Sequence, residues 1–101
     1  MGNIRDLERM DFMKGVLQRA ESVSLKDGTT VTALIDGRHV TAVIETKNNL
    51  VIKVEDGIVY ISEEIPKNKQ EKMNRYIYDC ILKLYELGVI DKTDFCQLCF
   101  H

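Results

Sequence analysis

Val31-Thr32-Ala33-Leu34-Ile35-Asp36-Gly37-Arg38-His39-Val40-Thr41-Ala42-Val43-Ile44 is the stretch that decides the fold. Val31, Ala33 and Ile35 alternate with Thr32 and Leu34; beyond Asp36-Gly37, Val40, Ala42 and Ile44 alternate with Thr41 and Val43. A period of two sends successive side chains to opposite faces of a strand, and β-branched residues suit that pleated surface. Asp-Gly between two such runs predicts a tight hairpin whose two turn residues both take positive φ. The two runs nearly repeat at an offset of nine residues. The repeat stops there, so they are expected to be neighbouring strands sharing register rather than units of a solenoid.

The same alternation continues on both sides. Upstream, Val23 and Leu25 alternate with serines before Asp27-Gly28. Downstream, Lys47-Asn48-Asn49 turns into Leu50, Ile52 and Val54, and Asp56-Gly57 leads to Ile58, Tyr60 and Ser62. The pattern predicts a five-strand antiparallel meander over residues 21–63. Its second face carries Leu34, Val43, Val51 and Val59 among the threonines, where a face in water should be polar. That face is expected to be partly covered, by curling into a small barrel, by a helix or by a second subunit. The plainer account is that Thr and Val are simply good strand formers.

Helical patterns flank the strands. Over residues 3–19, Asn3 is a suitable N-cap and Ile4, Leu7, Met10, Met13 (or Val16) and Leu17 recur at helical spacing, with Gly15 weakening the last turns. Pro66 closes the sheet region, and residues 68–87 form the longest helix. Met73, Ile77, Cys80, Ile81 and Leu84 make one stripe along it; Tyr78, Leu82 and Tyr85 make another. A helix apolar on so much of its circumference is buried on more than one side. The sheet can cover one side, and something else must cover the other.

The fold class is therefore α+β: an N-terminal helix, the meander, and a C-terminal helical hairpin over residues 68–100, in one domain over residues 1–101. A chain of 101 residues with 45% hydrophobic and 30% charged residues has the balance of an ordinary globular protein and room for one core. A net charge of −2, with basic and acidic residues interleaved, favours neither a phosphate-binding surface nor an acidic nucleic-acid mimic. No signal peptide or membrane-spanning run is expected. Three cysteines without a secretory signal point to reduced thiols and a cytoplasmic setting.

At the C-terminus, Gly88 sits where a helix would end in the left-handed conformation, and Asp91 can cap a new helix with Asp94 near its positive end. The run Leu84-Tyr85-Glu86-Leu87-Gly88-Val89-Ile90-Asp91-Lys92-Thr93-Asp94-Phe95 resembles the short C-terminal helical hairpin called SHOCT. Gly88, Ile90 and Phe95 match that family's pattern; Asp91 and Asp94 stand where it has Thr and Glu, and both keep the capping chemistry. The resemblance covers residues 81–100 and implies a packing hairpin, sometimes oligomerisation, and no enzymatic activity. Leu34-Ile35-Asp36-Gly37-Arg38, Val43-Ile44 and Asn49-Leu50-Val51-Ile52 are similar to the first motif of Sm-like proteins. That resemblance implies an N-terminal helix, a curled five-strand sheet and RNA-binding rings. The loop after Ile44 is shorter than in that family, its Asp is missing, and Asp56-Gly57 stands near the place of the second motif's Arg-Gly.

Cys96, Cys99 and His101 form a Cys-x-x-Cys-x-His string with metal-ligand spacing, which makes zinc the one cofactor to consider. A second half-site is lacking, since Cys80 and His39 are the only other cysteine and histidine; a site shared across a dimer would complete it. Otherwise Phe95, Leu98 and Cys99 form the buried stripe of the last helix, with cysteine as a small hydrophobe, or the thiols form a reversible disulfide. Arg38 and His39 at a strand start, and Tyr76, Tyr78 and Tyr85 on the long helix, are the candidate binding residues; otherwise His39 is an exposed turn histidine and the tyrosines serve core and interface packing. No catalytic residue is assigned, because no nucleophile accompanies His39 and its neighbouring acids Asp36 and Glu45. The paired acids Glu55-Asp56 and Glu63-Glu64 read as solvated charge.

The expectation is a small non-enzymatic binding or interaction protein, homo-oligomeric and cytoplasmic. Its look is similar to that of small proteins of Gram-positive bacteria and their phages, many of which inhibit or sequester a host component. Its partners would be further copies of itself and another protein or small ligand, with no membrane and with nucleic acid not favoured. The alternatives are an Sm-like RNA binder and a zinc-dependent interaction module.

Overall fold

The five-strand antiparallel sheet and the two C-terminal helices are both present in a computed structural model, which describes residues 18–37 and 39–100. Strands β1 (Gln18–Ser24), β2 (Thr30–Asp36), β3 (His39–Glu45), β4 (Val51–Glu55) and β5 (Ile58–Ile61) form one antiparallel sheet. Their order in the sheet is their order in the chain. A short 3₁₀ turn over Lys67–Lys69 leads into helix α1 (Gln70–Glu86), and helix α2 (Lys92–Phe100) follows.

The near-repeat is explained by register. Ala33 lies opposite Ala42, with Val31 opposite Ile44 and Ile35 opposite Val40, so the two runs are antiparallel neighbours. Their inward residues, with Ile52 and Val54 of β4, form one layer of the core. Ile77, Cys80, Ile81 and Leu84 of α1 and Leu98 of α2 form the other, as the first stripe predicts. The second stripe meets α2: the Phe95 ring lies 5.8 Å from Tyr78 and 5.3 Å from Tyr85. Much of what was to cover the long helix thus comes from the chain itself.

Gly88 ends α1 at φ +79°. Its amide donates to Tyr85 C=O at 3.0 Å and the Val89 amide to Leu84 C=O at 2.9 Å, satisfying two of the carbonyls a helix end leaves open. Asp91 then accepts from the Asp94 amide at 2.8 Å, while Asp94 accepts from the Asp91 amide at 3.3 Å. Two aspartates here perform the reciprocal capping that Ser/Thr and Glu usually share.

Several expectations are corrected. The helix predicted for 3–19 lies outside the described residues up to position 17, and its last two residues belong to β1. Gln18 and Arg19 are opposite Asp36 and Ile35, because a seven-residue β2 needs ladder partners to its end. Of the three Asp-Gly turns, only Asp56-Gly57 has both residues at positive φ, +53° and +77°. The β1–β2 turn is instead closed by the Gly28 amide on Leu25 C=O, with Gly28 alone left-handed at +93°. The β3–β4 turn repeats this geometry, the Asn49 amide on Thr46 C=O and Asn49 at φ +69°. The sheet is open rather than curled into a barrel.

The last strand also faces the other way from the alternation read upstream. A two-residue turn makes Glu55 and Ile58 opposite one another, so Val59 pairs with Val54 on the helix side. Ile58 and Tyr60, not Val59, join Leu34, Val43 and Val51 on the far face.

Candidate functional site

Among the described residues, β5 is an edge strand and carries the most exposed apolar surface of the sheet. Its hydrogen-bonding parity follows from the turn. Antiparallel ladders alternate bonded and non-bonded pairs, and the two-residue loop makes Glu55–Ile58 the first bonded pair. Ser62 keeps the phase, its amide donating to Val51 C=O at 2.9 Å. Ile58 and Tyr60 therefore turn their backbone groups to β4, while Val59 and Ile61 turn theirs outward. Ile58, Val59 and Tyr60 are 52%, 39% and 51% exposed.

Beside this edge, α1 stands off the sheet. A concavity of about 210 Å³ is lined by Val54, Val59, Tyr78 and Leu98 among others. A second, of about 200 Å³, touches Val59, Ile61, Met73 and Asn74. A third, of about 440 Å³, lies between the β3–β4 turn and the start of α1, lined by Leu50, Ile65, Met73 and Tyr76 with exposed Lys69 and Lys72. It mixes an apolar floor with the two lysines at its rim.

His39 sits at the near end of the same bare face, but its partners come from the next hairpin rather than from Asp36 or Glu45. Nε2 is 2.6 Å from Glu55 Oε2, and Nδ1 is 3.9 Å from Asp56 Oδ1. Lys53 Nζ is 3.3 Å from Glu55 Oε1 and 5.5 Å from the centre of the Tyr60 ring. The His39 and Lys53 hydrogen bonds hold the Glu55 carboxyl below the usual carboxylate range. Among the described residues, His39, Glu55 and Asp56 are the one group of three with donor atoms close enough, within 4.8 Å, to hold a metal ion. Both ring nitrogens face carboxylates, and the hydrogen bond to Glu55 fastens the end of β4 to the start of β3. Sequence reading set Glu55-Asp56 aside as solvated charge, because nothing local reveals that β3–β4 pairing carries them to His39.

The three tyrosines proposed as one surface separate. Tyr76 turns toward the sheet, and its hydroxyl hydrogen-bonds to the Thr29 hydroxyl at 2.5 Å. Burial pushes the Tyr76 phenol up. Tyr78 and Tyr85 flank Phe95 on the outer side of the hairpin. Arg38 lies outside the described residues, as does His101 of the cysteine string. Cys96 is exposed, Cys99 half-buried and Cys80 buried in the core. Burial pushes the Cys80 thiol up to about 11, so it stays protonated and unreactive at neutral pH. Cys99 is likewise raised by burial.

No helix among the described residues is long and apolar enough to cross a membrane. Compared with protein-family models, curated proteins and solved structures, the chain matches none.

Proposed function

We propose that this chain is a non-enzymatic, cytoplasmic protein-binding module that engages its partner by strand addition at β5. The observation that carries the reading is an apolar edge strand whose outer side pairs with no other strand among the described residues. β5 reads Ile58-Val59-Tyr60-Ile61, with no proline and no charge to blunt it. Main-chain hydrogen bonds to such an edge supply affinity, and alternate side chains supply selectivity. A small module of this kind works by occupying a strand edge on another chain, which suits sequestration or inhibition.

A photo-crosslinking residue at position 60 tests the reading in cells that express the chain. Protein adducts are expected from position 60 and not from Ser24, an exposed position on β1. No adduct above the Ser24 background removes the proposal.

A further inference from the structure

The two edges of the sheet differ in character. β1, at one end of the order, contains Arg19 and Glu21, and its larger apolar residues are limited to Val23. β5, at the other, is apolar throughout. Charge on an edge strand discourages pairing, and its absence leaves outward amides and carbonyls as a template for another strand. On β5 those outward groups belong to Val59 and Ile61, and they flank a single residue, Tyr60.

We propose that a second copy of this chain docks there, β5 against β5, antiparallel and centred on Tyr60. The inference rests on the strand-addition reading above and names its partner. A two-fold axis at Tyr60 places Val59 of each copy opposite Ile61 of the other. Both outward amides and both outward carbonyls of each copy then find partners, with no slip in register. Tyr60 meets its own counterpart as the non-bonded pair on the face away from the helices, where side chains approach most closely.

The occupant is argued from three features. β5 has no charge, so pairing it with itself sets no like charges opposite one another within the strand. On the helix side, the register brings Ile61 of the other copy beside Val59, at the lip of the gap of about 210 Å³ between Val59 and Tyr78. An isologous contact also closes on itself, and the charged β1 edge does not extend it into a fibre. The product is one continuous sheet across two copies, with both helical layers on the same side.

Sedimentation velocity across a concentration series of the full chain reads the association directly. A monomer–dimer equilibrium is expected, and Val59→Pro should weaken it at least about tenfold. That substitution removes only the outward amide and leaves the bonds to β4 in place. Should Val59→Pro disturb folding, Tyr60→Lys supplies the same test by setting like charges opposite each other on the axis. A Tyr60→Cys variant in a Cys96→Ser, Cys99→Ser background should form an intermolecular disulfide faster than a Ser24→Cys control, since a non-bonded pair lies within disulfide reach. A monomer at every concentration, a dimer indifferent to the edge variants, or crosslinks from position 60 to residues 1–17 of the same chain each overturn self-pairing. Adducts of position 60 with a different protein, alongside a monomer, would overturn self-pairing while leaving the protein-binding reading standing.

Discussion

Gln97 of α2 reaches across 57 residues to accept a hydrogen bond from the Val40 backbone amide, 2.9 Å away. Val40 stands one residue inside β3, and β4 ends at Glu55 opposite Thr41, so no strand residue is left to receive that amide. The side chain of the last helix finishes the ladder that β4 leaves short.

Gln97→Ala should therefore cost about 1–3 kcal/mol, the penalty of an unpaired amide in a poorly hydrated place. Gln97→Glu keeps an acceptor and should recover most of the loss. Urea denaturation of both variants checks the ordering. Equal stability of the alanine variant and the parent would show that water replaces the side chain.

The glycines at the two kinds of turn should respond differently. At Gly88 a new Cβ meets nothing within 4 Å, so Gly88→Ala carries only the left-handed backbone penalty, about 1–2 kcal/mol. At Gly28 the same strain is joined by a Cβ placed 3.0 Å from Lys47 Cβ, where the β3–β4 turn passes alongside. Gly28→Ala should thus destabilise more than Gly88→Ala, as thermal melting of the pair would show.

Acid stability should depend on His39. The Glu55 carboxyl is held below its usual range by His39 first and Lys53 second. A depressed carboxylate contributes stability that is fully present above its unfolded pKa, about 4.3, and is lost as pH falls through the lower folded value. His39→Ala should flatten the acid side of a melting-temperature profile while leaving Cys80 buried. An unchanged slope would mean that the Glu55 contact carries no net stabilisation. Asp27, lowered chiefly by the Thr29 side chain and then by the Thr29 amide, should add a similar acid-side loss in the parent.

Leu84 is completely buried between α1 and the sheet. Leu84→Ala should cost about 2–5 kcal/mol. Tyr85→Ala, one position along on the outer side, should cost clearly less, because its ring is partly exposed beside Phe95. Chemical denaturation separates the two.

What the sequence disclosed follows the range of the forces involved. Alternation along β2 and β3 is local and dictated the core face before any pairing was known. The capping aspartates and Gly88 are likewise local, and they stand where the pattern put them. The facing of β5 was misread because alternation was carried across Asp56-Gly57, whereas a two-residue turn resets which side chains share a face. Tyr76, Tyr78 and Tyr85 were grouped by being on one helix, but 3.6 residues per turn separates the first from the other two. The His39–Glu55 contact depends on strand register, which no short window contains. Periodicity revealed apolar surface in excess, and only the strand order revealed that part of it lies on a strand at the edge of the described sheet.

That order has a further consequence, for how the chain folds. Every strand pairs with its successor, so each pairing closes a loop of only a few residues and carries a small entropic cost. Sheets usually fold slowly because distant segments must find each other first. Here the hairpins can zip in sequence, and the distant events are the docking of α1 and α2 on a sheet already assembled. The slow step should then belong to the helices: Gln97→Ala would chiefly quicken unfolding, and a weakened β2–β3 hairpin would chiefly retard folding.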